Sequence, residues 1–200
     1  MMGKKLLALL LCGALLVTVL AACGAPEEKD VSAEQDSQPV ETEKEPDTGD
    51  ASLDNPRNQD GIGEKELLVV SFGTSYNDSR RLTIGAIENA MEEAFPEYAV
   101  RRGFTSQIII DHVKSRDNVS IDNVKQALDR AVENGVKTLV IQPTHLMDGL
   151  EYHELVDEVA QYSDAFEHLA IGKPLLTSEA DFQAVEQAIT EATAEYDDGK

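Results

Sequence analysis

The chain is poor in cysteine and aromatic residues, and this scarcity excludes several kinds of chemistry. It has no tryptophan, and only five phenylalanines and five tyrosines among its 200 residues. Its two cysteines, Cys12 and Cys23, both lie near the N-terminus. The rest of the chain therefore offers no thiol for a disulfide, a thiolate metal site or thiol catalysis. We expect its stability to come from a packed core.

Basic residues are also scarce. The chain has 17 lysines and arginines against 38 aspartates and glutamates, which gives a formal net charge of -21. A surface this acidic repels phosphate backbones and anionic lipid headgroups. The composition therefore argues against nucleic acid as a partner.

The N-terminus carries the pattern of a bacterial lipoprotein signal. Lys4 and Lys5 precede an apolar run from Leu6 to Leu20, and the run ends in Leu20-Ala21-Ala22-Cys23. Small residues before a cysteine are typical of a signal that is cleaved at that cysteine, which then receives lipid. The run is shorter than the ~20 residues of a spanning helix. We therefore predict that residues 1–23 are a signal peptide, that Cys23 is lipidated, and that the protein is extracytoplasmic and membrane-anchored.

Residues 24–64 differ in composition from the rest of the chain. This segment contains 13 acidic and 3 basic residues and very few apolar ones. Such a sequence buries too little surface to offset the entropy lost on ordering. We predict an acidic disordered tether that holds the folded part away from the membrane.

From Lys65 onward, apolar strand patterns alternate with helical periodicity, which predicts one domain over residues 65–200. The order of strand and helix, repeated four times, predicts an α/β fold with a parallel sheet and flanking helices. In such folds the functional loops lie at the carboxyl ends of the strands. The predicted strands are 66–72, 98–104, 137–142 and 167–172.

Six short motifs in and beside these loops resemble one family. In chain order they are LVVSFGTS (68–75), TIGAIE (83–88), RRGFTS (101–106), QPTH (142–145), GLEY (149–152) and GKPLL (172–176). Together they resemble the anaerobic sirohydrochlorin cobaltochelatases, which are class II chelatases. The resemblance runs from about residue 66 to residue 176.

The resemblance implies a fold of two similar α/β halves, of which this chain matches the first. It implies insertion of Co(II), with Fe(II) and Ni(II) as alternatives, into a tetrapyrrole such as sirohydrochlorin in anaerobic cobalamin biosynthesis. No nucleotide cofactor is implied. The family's main metal-ligand histidines, including a Gly-His-Gly, belong to the second half, and none of the four histidines here matches them. Whether the chain is an enzyme is therefore left open.

Three interpretations are compatible with that gap. One is a membrane-anchored chelatase, a lyase completed by a second-half partner chain or by homo-oligomerisation. Another is an extracytoplasmic tetrapyrrole, heme-like or metal carrier that performs no turnover. The third and least specific is a structural lipoprotein with a vestigial chelatase domain.

His145 and Glu151 are the candidate catalytic residues. His145 follows the third predicted strand, where a neutral imidazole could bind a divalent metal or accept pyrrole protons. It could equally be a hydrogen-bonded structural residue. Glu151 lies at a predicted helix start and matches a family carboxylate. A helix N-terminus also favours acidic residues that have no catalytic role.

Polar loop residues are the candidate contacts for the acidic side chains of a tetrapyrrole. The first loop offers backbone and hydroxyl donors, and the loop after the second strand offers an arginine fork and hydroxyls. One of Arg101 and Arg102 must point to each face of its strand, and we select Arg102. The predicted substrate-binding residues are Ser71, Gly73, Thr74, Ser75, Arg102, Thr105 and Ser106. His112, His153 and His168 are expected to be surface residues.

Overall fold

The structure is a computed structural model, and it describes residues 46–196. The predicted signal segment, its lipidation site Cys23 and residues 24–45 of the predicted tether lie outside this range. Within residues 46–196, every helix is too short or too polar to span a bilayer.

Four strands alternate with six helices along the described chain. The strands are all parallel and pair in the order β2-β1-β3-β4. This arrangement confirms the predicted α/β fold with flanking helices. The elements are β1 (Lys65–Ser71), α1 (Asn77–Leu82), α2 (Ile84–Ala94), β2 (Ala99–Phe104), α3 (Gln107–Asp117), α4 (Val124–Glu133), β3 (Thr138–Pro143), α5 (Leu150–Ala160), β4 (His168–Ile171) and α6 (Glu179–Thr193), with 3-10 turns at Ala51–Leu53 and Ala194–Tyr196.

The sheet buries apolar side chains on both faces, because successive strand residues point to opposite sides. The face that packs against α4 and α5, here called the α5 face, holds the largest cluster of fully buried side chains. Leu68, Leu139 and Ile141 of the sheet meet Leu128 and Leu155 there. The opposite face, here called the α2 face, holds a smaller cluster of Leu67, Val69 and Val100.

Two adjacent arginines of β2 are buried on opposite faces of the sheet. Arg102 donates two hydrogen bonds to Glu88 of α2, at 2.7 and 2.6 Å, on the α2 face. Arg101 donates to Asp122 at 2.9 Å on the α5 face and lies 3.7 Å from Glu66. A buried charge is tolerated only when it is paired and hydrogen-bonded. The β2 sequence therefore requires a carboxylate on each side of the sheet.

Glu66 is the least satisfied of these carboxylates. It is fully buried, and neither of its oxygens has a hydrogen-bond partner among residues 46–196. Burial raises the pKa of Glu66 to about 7, and the nearby Arg101 offsets only part of that effect. The carboxyl group therefore titrates near neutral pH.

Residues 46–64 differ from the expected tether, because they pack against the domain. Asp54 accepts hydrogen bonds from Arg80 Nε at 2.6 Å and from Arg102 Nη1 at 2.7 Å. Arg57 is buried and lies 3.4 Å from Glu88, and its carbonyl accepts a hydrogen bond from the Arg102 backbone N–H. This segment, here called the strap, covers the outer edge of β2. Some acidic residues of the strap, such as Asp54, pair with arginines inside the fold, whereas others, such as Asp60, face solvent.

Asp54 should therefore be essential to stability. Burial alone would raise the pKa of Asp54, but Arg102 and Arg80 outweigh burial and hold the pKa below its usual range. We expect Asp54→Ala to lower the free energy of unfolding by about 3–5 kcal/mol at neutral pH, because it leaves two buried arginines short of a partner. Because the folded protein lowers the pKa of Asp54, its contribution is fully present above the ordinary aspartate pKa and is lost as the pH falls from that value through the lowered folded-state pKa. The stability difference between the parent and Asp54→Ala should shrink over the same window.

Asp60→Ala is the matched control for this experiment. Asp60 is also a strap aspartate paired with an arginine, Arg130, but its side chain is 68 % exposed. Urea unfolding should show little change in stability for this variant, because an exposed ion pair is screened by solvent. Equal losses for the two variants would show that the buried pairing does not anchor the strap.

Candidate functional site

The loops at the carboxyl ends of β3 and β4 are joined to each other by backbone hydrogen bonds. The Leu175 N–H donates to the His145 carbonyl at 3.0 Å, and the Leu176 N–H donates to the Leu146 carbonyl at 2.7 Å. The Tyr152 hydroxyl donates to the Gly172 carbonyl at 3.2 Å. The backbone around His145 is therefore fixed from two directions.

A groove of about 420 Å³ opens at this edge of the sheet, and we call it the His145 groove. Large apolar side chains dominate its rim, and Leu146, Met147 and Leu150 are each more than half exposed. Exposed apolar groups of this size beside a concave surface mark ligand or partner contacts more often than chance. The lining comprises Phe72, Thr144, His145, Leu146, Met147, Gly149, Leu150, Glu151 and Tyr152.

His145 and Glu151 meet in this groove, as the sequence predicted. The two side chains approach to 3.7 Å between Nε2 and Oε2, which is too long for a hydrogen bond. The His145 side chain is 8 % exposed, whereas that of Glu151 is 48 % exposed. Neither ring nitrogen of His145 has a hydrogen-bond partner among the described residues. A buried polar group without a partner needs an explanation, and a bound ligand supplies one.

The protonation state of His145 suits a metal ligand or a general base. Burial lowers its pKa from the ordinary histidine value, and the Glu151 carboxylate opposes that effect only in part. The imidazole is therefore neutral at neutral pH and keeps a lone pair on one ring nitrogen. A lone pair of this kind can coordinate a divalent metal or accept a proton.

Glu151 lines two separate grooves. It sits in the first turn of α5, where the helix dipole favours a carboxylate. It also lines a second groove of about 310 Å³, together with Thr105, Glu154 and Glu158. A cation that moved along α5 would therefore pass Glu151 before it reached His145.

The β1 loop supports the site from behind rather than lining it. The Ser71 hydroxyl accepts a hydrogen bond from Thr144 Oγ1 at 2.9 Å, which joins the β1 and β3 loops. Gly73 has φ +102°, and a Cβ there would lie 2.5 Å from the Phe104 ring, so only glycine fits. Thr74 and Ser75 are half-buried, and their carbonyls accept from Arg80 and Arg116. None of these four predicted contacts lines the His145 groove, although Phe72 does.

The structure places Arg102 away from both grooves. Its guanidinium is 1 % exposed and is occupied by Glu88 and Asp54, so it does not have the predicted freedom to bind a ligand carboxylate. Thr105 lines the second groove with a buried hydroxyl that has no partner within residues 46–196. Ser106 precedes α3 as its N-cap residue but makes no side-chain capping bond.

The other histidines lie on the surface, as expected. His153 is exposed and pairs with the exposed Asp148 at 3.0 Å, and His112 and His168 are exposed as well. Across residues 46–196, no three histidine, cysteine or acidic side chains converge closely enough to hold a metal ion. His145 and Glu151 can therefore supply only part of a coordination sphere.

Comparison with known proteins identifies the family. The family model of the cobalt chelatase (CbiK) matches residues 65–198. The chain belongs to the cobalt chelatase family. It is 39 % identical over 126 residues to the sirohydrochlorin cobaltochelatase of Salmonella typhimurium. It is 29 % identical over 136 residues to the sirohydrochlorin cobaltochelatase CbiKC of Nitratidesulfovibrio vulgaris.

The similarity extends over only part of each relative. It covers 63 % of this chain in the first comparison and 66 % in the second, and 48 % of the relative in both. The chain thus spans about half the length of the relatives it matches. The strap residues Asp54 and Arg57 lie before the residues that the family model matches.

The electrostatic coupling of His145 to Glu151 can be measured directly. We expect a proton NMR titration to give His145 a pKa below the ordinary histidine value. Glu151→Gln should lower this pKa further, because the carboxylate is the group that raises it. Glu154→Gln is the matched control on the same helix and should leave the His145 pKa unchanged. An unchanged His145 pKa in Glu151→Gln would show that the two groups are not coupled.

Proposed function

We propose that this domain forms one wall of a chelatase site at which Co(II) enters a tetrapyrrole such as sirohydrochlorin. One observation carries the proposal. A buried, neutral histidine, whose ring nitrogens have no hydrogen-bond partner among the described residues, stands beside a carboxylate in a groove rimmed by apolar side chains. Membership of the cobalt chelatase family and the activity for which the two relatives are named support the same reaction.

The chemistry requires two pyrrole N–H protons to leave as the metal binds. The overall step is tetrapyrrole plus Co²⁺ giving the cobalt complex and two protons, with no redox change and no nucleotide. His145 is placed to accept one proton or to hold Co²⁺ before transfer, since its lone pair faces no donor within residues 46–196. Glu151 is half exposed and can pass a proton to solvent or guide the cation into the groove.

The groove's rim suits a flat, largely apolar macrocycle. Phe72, Leu146 and Leu150 are 49, 59 and 74 % exposed, and covering them removes apolar surface from water. The remaining metal ligands must come from the tetrapyrrole nitrogens and from groups beyond the described residues, because His145 and Glu151 alone do not complete a sphere. Cobalt is proposed as the substrate metal because the family is the cobalt chelatase family, and Fe(II) and Ni(II) are the alternative substrate metals.

A second function, tetrapyrrole or metal carriage without turnover, follows from one observation. The described residues supply no complete set of metal ligands. The His145 groove can therefore hold a ligand, but metal transfer would need groups beyond these residues. The two functions share the His145 groove and differ in whether insertion is accelerated. One experiment therefore distinguishes them.

The experiment follows the absorption spectrum of sirohydrochlorin mixed with the full chain, before and after Co(II) is added. Chelatase function predicts tetrapyrrole binding and accelerated insertion. His145→Ala and Glu151→Gln should each slow insertion by about 10- to 10⁴-fold, the range for a lost acid–base group. Neither variant should lower the unfolding temperature appreciably, because neither residue is part of the apolar core.

His153→Ala is the control, because His153 is exposed and lies outside the His145 groove. It should bind and insert as the parent does. The carrier function would be favoured if the chain binds sirohydrochlorin without accelerating Co(II) insertion and if His145→Ala weakens that binding. Absence of tetrapyrrole binding would contradict both functions.

We also propose that the protein is exported and held at the membrane by lipid on Cys23, on the sequence pattern alone. In cells, labelled fatty acid should enter the protein, and Cys23→Ser should abolish labelling and leave the leader attached. Cys12→Ser is the matched control and should be labelled normally. Labelling that persists in Cys23→Ser would refute the assignment.

A further inference from the structure

The loops at the carboxyl ends of the four strands contain one basic side chain. These loops are residues 72–76, 105–106, 144–149 and 172–178, and Lys173 is the single lysine or arginine in them. Loops in this position hold the ligand contacts of an open parallel sheet. A ligand with acidic groups that lies across this edge therefore meets one lysine.

The ammonium group of Lys173 is not engaged by the protein. Lys173 is exposed, and within residues 46–196 it has no hydrogen-bond or ion-pair partner. The other lysines in that range each contact an aromatic ring, an amide or a carboxylate; they are Lys65, Lys114, Lys125 and Lys137. The charge of Lys173 is thus available to a ligand.

Arg80 and Arg116 contact the same loops from outside, but both are occupied. Arg80 is fully buried and donates to the Thr74 carbonyl at 3.2 Å. Arg116 donates to the Ser75 carbonyl at 2.6 Å and pairs with Asp117. Neither guanidinium can turn to a ligand without giving up a partner inside the fold.

The backbone on both sides of Lys173 is held beside the His145 groove. The carbonyl of the preceding glycine accepts a hydrogen bond from the hydroxyl of Tyr152, which lines that groove. Pro174 follows and is buried, and a residue before proline is restricted to extended conformations. The Leu175 N–H then donates to the His145 carbonyl at 3.0 Å. Lys173 is therefore a flexible charged side chain on a fixed support.

The spacing between Lys173 and His145 suits a macrocycle. Two residues of chain separate Lys173 from Leu175, which is a span of at most roughly 7 Å. Tetrapyrroles carry their acidic side chains on the perimeter of the ring, away from the central nitrogens. A ring whose centre faces His145 thus presents its carboxylates outside the groove, within range of the four-carbon stem of Lys173. Glu151, which lines the groove itself, repels a carboxylate from the centre.

We infer that Lys173 binds one perimeter carboxylate of the tetrapyrrole and so fixes the orientation of the ring in the His145 groove. The inference rests on the proposed function, because it requires the macrocycle to lie in that groove. The described wall then recognises one acid on the β4 side of the ring, and it does not count the acids around the ring. At a net charge of -21, the protein surface offers the other carboxylates no general attraction.

Porphyrin fluorescence tests the inference without metal. The full chain in mild detergent is titrated into uroporphyrin, a metal-free tetrapyrrole with eight carboxyl groups, and into its octamethyl ester, which has no free acid. Lys173→Gln should raise the uroporphyrin dissociation constant by about 3- to 10-fold, because it removes one charge-assisted hydrogen bond at an exposed site. It should leave ester binding and the unfolding temperature unchanged.

Two further measurements separate a direct contact from a structural effect. Lys173→Arg should keep most of the parent's affinity for uroporphyrin, because a guanidinium also binds carboxylates. The difference between the parent and Lys173→Gln should shrink as salt is added, because salt screens an exposed pair. Loss of affinity in Lys173→Arg equal to that in Lys173→Gln, or a difference indifferent to salt, would contradict the carboxylate contact.

Lys137→Gln is the matched control, because it removes the same charge from an exposed lysine at the opposite edge of the sheet. It should bind both probes as the parent does. Equal losses in Lys137→Gln and Lys173→Gln, or unchanged uroporphyrin binding by Lys173→Gln, would overturn the inference while the parent's binding leaves the proposed function standing. A parent that binds neither probe would contradict the proposed function together with this inference.

Discussion

The neutralisation of two adjacent buried arginines determines much of this structure. Arg101 and Arg102 follow one another on β2, so the alternation of a strand sends them to opposite faces of the sheet. Removing a partner from a buried ion pair costs about 3–5 kcal/mol, so each arginine must find carboxylates on its own side. Glu88 and Asp54 meet Arg102, and Glu66 and Asp122 meet Arg101.

This constraint explains why the domain includes the strap. Asp54 is one of two carboxylates that contact Arg102, and it lies before the residues that the family model matches. Arg57 follows it with a buried side chain, and its carbonyl pairs with the backbone of β2. An acidic segment in front of an acidic domain is thus held by the basic residues buried inside that domain.

The same constraint shapes the candidate site. The β2 arginines are occupied inside the fold and do not line the His145 groove, whose rim is mainly apolar. His145 and Glu151 are the histidine and the carboxylate that line the His145 groove, beside the apolar side chains of Phe72, Leu146 and Leu150. Recognition there would depend on apolar surface and on the histidine lone pair, and less on charge.

The sequence predicted those parts of the fold that depend on residues close together in the chain. The four strands, the parallel sheet and the pairing of His145 with Glu151 follow from periodicity and from where strands end. The break between α1 and α2 at Thr83 has no signal in the apolar pattern, because the apolar spacing continues across it. Arg102 and the strap were misread because Asp54 meets Arg102 across 48 residues of sequence, which no local pattern reveals. The apolar rim could have been anticipated from Phe72 and Leu146, each placed just after a buried strand.

The central claim is that His145 is the metal-facing residue of a tetrapyrrole site. The most direct measurement is diffraction from the full chain crystallised with sirohydrochlorin and Co(II), with data collected at the cobalt absorption edge. The account predicts an anomalous peak within about 2.0–2.2 Å of a His145 ring nitrogen, the distance of a metal–imidazole bond. The macrocycle should lie against Leu146, Met147 and Leu150. A cobalt peak held by other residues, with His145 unliganded, would contradict the account.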